Sequence, residues 1–400
     1  MQKVIVIGGG ASGLMAALSA KEQKADVLIL ERNHRLGKKI LATGNGRCNF
    51  TNVDATPHHY NHPFFVKPVF EQMSPKKTLQ FFESLGIVPK IEEAGKAYPL
   101  SEQASSIVDV LTHEITVKNI PVIYDAKVTS LTKNDLFHIK LEDGRSFESE
   151  CIVLATGGMA LPKSGSDGIG YQLSAALGHE ITPIFPALVK LELDSPYLKA
   201  LDGTKFPGQV ELIYQNESIQ TEFGDVLFTK FGISGPTILQ ISRQANQLMQ
   251  EGKTLWIKVV LVNGPTPQEL HKRFRQLKDK TVEMSLIGLI NKRLIHPLLK
   301  YASINPNVYM SNLDKDKYNE LMKLLFDWRF KVIGSKDFDD AQVTAGGIDI
   351  QSVNPQTLES KKIPGLFFSG EILDIDGLCG GYNLQWAWSS GYVSGKYAAR

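Results

Sequence analysis

Four hundred residues exceed what one ordinary hydrophobic core organises, so two or three domains are expected. With 42% hydrophobic and 22% charged residues, the composition is that of a soluble globular protein rather than a disordered or membrane-embedded one. Forty-four basic against forty-two acidic residues leave a formal charge of +2, which argues against a chain-wide polyanion binder but leaves room for a local basic face.

Residues 3–7 are apolar without alternation, as expected of a parallel strand covered on both faces. They run straight into glycines, which suits a buried strand better than a signal peptide. No apolar run approaches the ~18–20 residues of a membrane-spanning helix, so the expected location is cytoplasmic, with no membrane partner. Ala11 to Lys24 has helical spacing, and Val27-Leu28-Ile29-Leu30 reads as a second strand ending at Glu31. Residues 74–119 read as helices broken by Gly86, Pro89 and Pro99. Residues 121–154 change period: Phe137 to Leu141 alternates, Asp143-Gly144 signals a tight hairpin, and Cys151 to Leu154 returns to an apolar strand.

From about Pro183 the texture changes again. Short alternating stretches such as Val210 to Tyr214 and Leu255 to Val260 suggest a small barrel or sandwich, interrupted by one helix with Ser234 as its N-cap and Pro236 in its first turn. Residues 267–333 read as mostly helical and amphipathic. Sheet character returns at Leu366-Phe367-Phe368, followed by a glycine-rich turn and a last helix. The expected domains are a discontinuous nucleotide-binding domain, 1–185 plus 341–400, enclosing a barrel at 186–265 and a helical subdomain at 266–340.

Gly8, Gly10 and Gly13 form G-x-G-x-x-G after a strand and at the start of a helix. In such a loop one glycine makes the turn, one lets a pyrophosphate approach the backbone, and one packs helix on strand. Ala11 and Ser12 then bring helix N-terminal amides to the phosphates. Glu31, eighteen residues beyond Gly13, can accept hydrogen bonds from an adenosine ribose. This loop alone does not separate NAD from FAD. Residues 31–52, rich in glycine and amides, and the element Gly370-Glu371 through Asp376 to Asn383 favour FAD, because both let backbone approach a flat polar ring. A helix beginning near Gly380 would add ~0.3–1 kcal/mol of attraction for an anionic flavin at the surface, and up to about 2 kcal/mol when partly buried.

These segments resemble those of the BaiN/RdsA-type flavoproteins, also described as NAD(P)/FAD-dependent or aminoacetone-oxidase-like proteins. The matching stretches are the first glycine loop, Gly44-Asn45-Gly46-Arg47-Cys48-Asn49, Ala155-Thr156-Gly157-Gly158, Phe231 to Pro236, Thr344 to Gly347, and Gly380-Gly381-Tyr382-Asn383-Leu384-Gln385. The resemblance implies an α/β fold: a Rossmann-type FAD domain of the glutathione-reductase type with an inserted β-barrel and a small helical subdomain. It also implies FAD-dependent redox chemistry, either reduction of a double bond in a bile-acid derivative or dihydrouridine formation in ribosomal RNA. Both reactions add hydride to a carbonyl-conjugated C=C bond and then a proton. Alternatives are a flavin oxidase of a small amine that releases peroxide, and a non-catalytic flavin-containing module that binds RNA or protein. NAD(P)H is a possible electron donor, although Gly165 to Gly170 lacks the strand and the spacing of a second nucleotide loop. The oligomeric state is left open.

Cys48 is either the proton donor to substrate or a small buried hydrophobe beside the ring, and Cys379 is the alternative donor. Cys151, within an apolar strand, is structural. Arg47 either clamps a substrate carbonyl or phosphate, or makes a salt bridge within the cofactor site. Asn45 and Asn49 bond the flavin ring or the turn backbone, and Glu371 the ribitol. Lys38 and Lys39 either neutralise the pyrophosphate or form a solvated surface pair, the latter being the plainer reading. Arg32, Val128, Gly44 and Gly46 complete the expected cofactor contacts. The basic clusters at 271–275 and 291–293 either meet RNA phosphates or are solvated helix faces. The cysteine spacing matches no metal motif.

Overall fold

The computed structural model describes residues 2–400, and the chain divides into two compact units, 1–186 with 341–400, and 187–340. In the first unit, strand β1 (Lys3–Ile7) leads into helix α1 (Ala11–Glu22) and strand β2 (Asp26–Leu30). Five parallel strands form its sheet in the order Leu366–Phe368, Cys151–Leu154, β1, β2, Val122–Ile123.

The unbroken apolar run of β1 has a direct cause. Val4 and Val6 face one core with Leu14, Leu18 and Trp388, while Ile5 and Ile7 face another with Leu131, Phe137 and Trp386. The meander Val128–Lys133, Phe137–Leu141, Ser146–Ser149 roofs that second face. Helix α1 is buried on every side from Ser12 to Ala20, and the C-terminal helix Tyr382–Ala398 lies against it. A Cβ at Gly391 or Gly395 would come within 2.3 Å of the Ser12 carbonyl oxygen or 2.1 Å of that of Ala16. Only glycine permits this approach.

The expected helices at 74–119 are Pro75–Ser84 and Ala104–Val117, but a small antiparallel sheet lies between them. It joins Thr51–Asn52, Lys96–Pro99 and Pro89–Ile91. Its strands are too short to show a period, so the prolines read only as helix breakers.

In the second unit a closed six-stranded barrel runs Leu191–Asp194, Gly232–Ser234, Glu217–Thr229, Lys205–Tyr214, Leu255–Val260, Trp328–Ser335. The sixth strand follows the helices rather than preceding residue 265. Helices Pro267–Gln276, Lys292–Tyr301 and Lys315–Phe326 therefore leave the barrel and return to it, and they share one apolar core with it. Ser234 is not the N-cap of Pro236–Gln250. It ends a strand, and Gly235 takes the cap position at φ +103 because a Cβ there would meet the Asp225 carbonyl oxygen at 2.4 Å.

Candidate functional site

A cleft of about 1220 Å³, open on one side, follows the C-terminal ends of β1 and β2 in the first unit. At its centre the three loop glycines divide their work. Gly8, at φ +107, lies so close to the strand Cys151–Leu154 that a Cβ would sit 2.4 Å from the Ala155 oxygen. Gly13 would meet the Gly8 oxygen at 1.9 Å. Gly10 lines the cleft, and its Cβ would have no neighbour within 4 Å. The first bond of α1 runs from the Leu14 amide to the Gly10 carbonyl at 2.9 Å, so the earlier amides face out of the helix end, where an anion is favoured.

At one end of the cleft stands Glu31, 6% exposed. Its carboxylate accepts from the Gly9 amide at 2.6 Å and from the Asn33 amide and side chain at 2.8 and 2.7 Å. Three donors fix its orientation in the cleft wall. Arg32 pairs with Asp167 at 2.5 Å and donates to the Gly165 carbonyl at 3.2 Å, which fastens the 164–168 loop over the rim. Val128, Ala155, Thr156 and Gly157 line the wall, with Ser164 and Ser166 beside them.

At the other end, Thr43, Gln342, Glu371, Asn383 and Leu384 enclose the space. Lys39 is not a solvated surface lysine: it lines the cleft and pairs with Glu371 at 2.6 Å. The second oxygen of Glu371 accepts from the Thr344 amide at 2.8 Å. Glu371 and Lys39 thus form a polar wall with directional donors, and the remaining lining is largely apolar. The open face at Gly10, the helix end at Ala11 and Ser12, and the fixed acceptor Glu31 suit the pyrophosphate and ribose of FAD. The dinucleotide fits the donor set present.

Several expected residues lie outside this lining. Gly13, Gly370, Gly380, Gly381 and Tyr382 support it, and Asn45 and Gly46 are exposed. Gly44 turns at φ +57, where a Cβ would press on the Asn49 amide at 2.8 Å. Asn49 is buried beside Gly381 with its Oδ1 lacking a hydrogen-bond partner.

Cys48 is 0% exposed and packs among Ile40, Phe50 and Phe82. Burial pushes its thiol up to about 12, with a hydrogen bond to Thr43 acting the other way. Of its two readings, the geometry favours packing, since the thiol lies in the core and outside the cleft lining. Arg47 does not stand free as a clamp either. It pairs with Glu92 at 2.5 Å and Glu102 at 3.2 Å, and stacks 4.1 Å from the centre of the Tyr98 ring. Cys379 is half-buried next to Tyr382 and Lys96. Burial raises its thiol above the ordinary value, and the Lys96 charge opposes that.

Thr43, Gln342, Leu384 and Trp386 were not among the expected contacts. All four sit within or one or two residues from motifs already singled out, which was the available signal. Lys96 and Tyr98 carry no local motif at all.

Among the described residues no helix is long and apolar enough to cross a membrane, and no cluster of His, Cys, Asp and Glu suits a metal.

A family model described as the HI0933-like protein Rossmann domain matches residues 2–397. The 3-dehydro-bile acid delta(4,6)-reductase of Clostridium scindens is 37% identical over 408 residues, covering 100% of this chain and 99% of that protein. The ribosomal RNA dihydrouridine synthase of Escherichia coli K12 is 30% identical over 394 residues, covering 97% and 96%. Among solved structures, the 3-ketosteroid delta1-dehydrogenase from Sterolibacterium denitrificans shares the fold at a TM-score of 0.53 and 12% identity, with both chains fully covered. From its second residue almost to its end, this chain belongs to the HI0933-like Rossmann-domain family.

Proposed function

We propose that this protein is an FAD-dependent reductase that delivers hydride to a C=C bond conjugated to a carbonyl. The observation that carries the reading is the Gly10 face. It is an open approach to a helix end, in a cleft whose lining includes Asn383 and Leu384 at the start of the C-terminal helix. The named activities of the 37% and 30% relatives both saturate a double bond next to a carbonyl. Bound FAD supplies the hydride at its ring end.

The protein's own residues do the remainder. Glu31 holds the adenosine ribose, the α1 amides hold the pyrophosphate, and the Lys39–Glu371 pair orients the ribitol side of the cofactor. Cys379, kept protonated by burial, is the acid near enough to the Gly380–Leu384 end to protonate the substrate's α-carbon. NAD(P)H is the hydride donor we assign to the reductive half-reaction. A small enone is the substrate class, with ribosomal uridine the second reading because of the 30% relatives.

The test is single-turnover. Protein reduced anaerobically should be reoxidised by a 3-oxo-4-ene steroid, giving a product two hydrogens heavier. Reduced protein that no enone reoxidises, together with peroxide release on adding an amine, would overturn the reading in favour of an oxidase. Mass spectrometry of ribosomal RNA with and without the gene tests uridine separately.

A further inference from the structure

We propose that Lys96 is a catalytic residue whose ammonium anchors the substrate's carbonyl oxygen and holds the enolate charge during reduction. The inference rests on the reductase reading above. Lys96 opens the short strand Lys96–Pro99, which pairs antiparallel with Thr51–Asn52 just after the glycine–amide loop. Its stem lies along the turn before the C-terminal helix. A Cβ on Gly380 would be 3.5 Å from Lys96 Cε and 3.5 Å from the Tyr382 ring, and Gly380 has φ +124. The Asn52 side chain donates to the Gly380 carbonyl at 3.0 Å and to that of Ala94 at 2.8 Å, tying strand to turn. Three and four residues beyond Gly380, Asn383 and Leu384 line the end of the cleft remote from Glu31. A substrate meeting the reactive end of the dinucleotide therefore meets this turn.

Charge selects Lys96 among the cations nearby. Arg47 is neutralised by Glu92 and Glu102, and Lys90 pairs with the same two carboxylates, at 3.2 Å from Glu92. Lys39 is held by Glu371. Among the described residues no carboxylate pairs with Lys96, which is only half-buried. Tyr98, two residues along the strand on the same face, is 8% exposed, and the Tyr382 ring lies against the same Gly380 turn as the Lys96 stem. A cation without a carboxylate partner at this turn, close enough to the Cys379 thiol for its charge to act on it, suits an oxygen that gains negative charge.

The step balances. Hydride from the reduced flavin forms a C–H bond at the β-carbon, and the C=C π pair moves so that the carbonyl oxygen carries the enolate charge against Lys96. A proton from the Cys379 thiol then closes the α-carbon, leaving the thiolate to be reprotonated from solvent, and the flavin is left oxidised by two electrons.

Lys96→Met keeps the length of the stem and removes the charge. Holoprotein reduced with dithionite and mixed with a 3-oxo-4-ene steroid should be reoxidised about 10²–10³-fold more slowly, the worth of one preorganised donor at a developing oxyanion. Lys96→Arg should recover most of the loss. The second arm needs no turnover. Oxidised holoprotein titrated with p-chlorophenol, whose phenolate copies a planar enolate oxygen, should bind at least tenfold more weakly in Lys96→Met and in Lys96→Gln. Reoxidation within threefold of wild type, or unchanged phenol binding, overturns the proposal. If wild type reduces no enone, the reductase reading fails, and the phenol arm still decides Lys96.

Discussion

Gly13 sits so close to Gly8 that a Cβ on Gly13 would lie 1.9 Å from the Gly8 carbonyl oxygen, whereas Gly10, between them, faces open space. The same motif therefore holds two glycines for packing and one for the ligand. Gly10 also has φ −82 and ψ −168, an extended conformation that a β-branched residue adopts readily. Gly10→Val is expected to yield a folded protein with a cofactor-free melting temperature near that of wild type, and no yellow colour. Gly13→Val should be destabilised by more than about 3 kcal/mol or fail to fold, because the obstacle is backbone. Absorbance at the flavin bands and thermal melts of both variants check this, and full FAD occupancy in Gly10→Val would contradict it.

Gly395 makes the same kind of contact between the two long helices. Gly395→Ala places a methyl 2.1 Å from the Ala16 oxygen and must push the C-terminal helix off α1. The expected cost is about 2–4 kcal/mol, at or above the usual range for overpacking. FAD affinity should fall as well, since both helices start at the cleft. Urea unfolding and FAD titration measure the two effects.

Cys48 should behave as a packing residue. Cys48→Ala is expected to cost about 1–2 kcal/mol of stability and to leave reoxidation of reduced flavin by an enone within about threefold. A hundredfold loss would restore the proton-donor reading. Because burial raises the folded thiol to about 12, its contribution is fully present below the unfolded value of about 8.5–9 and is lost as pH rises from there through about 12. Wild type should therefore lose stability faster than Cys48→Ala above pH 9, and denaturant midpoints measured against pH show the difference.

His179 gives the opposite slope. Its ring nitrogens are 2.9 Å from the hydroxyls of Ser352 and Ser360, and burial, with the nearby Lys362 charge, lowers its pKa to about 4. The stability it contributes is present above the unfolded value of about 6.5 and is lost as pH falls through about 4. His179→Gln should flatten the decline between pH 6.5 and 4, and NMR titration of the ring in wild type should show no charging above pH 5. A midpoint near 6.5 would contradict this.

What the sequence determined by itself is local. The apolar run of β1, the glycine loop after it, Glu31 at the end of β2, the Asp143-Gly144 hairpin and the alternating barrel strands each declare themselves within a few residues, because period and turn chemistry act between near neighbours. Tertiary structure alone decided which groups meet. Arg47 finds Glu92 and Glu102, forty-five and fifty-five residues away, and loses its freedom as a clamp. Lys96 comes to lie along Gly380, and the barrel takes its last strand from Trp328–Ser335, beyond four helices. Cys48 shows why a motif is not enough. At φ +57 the backbone turns left-handed and the thiol enters the core, although Thr43, five residues earlier, lines the cleft. A side chain's direction and its partners depend on where distant segments cross, and that is set by the packing of the whole unit rather than by any local pattern.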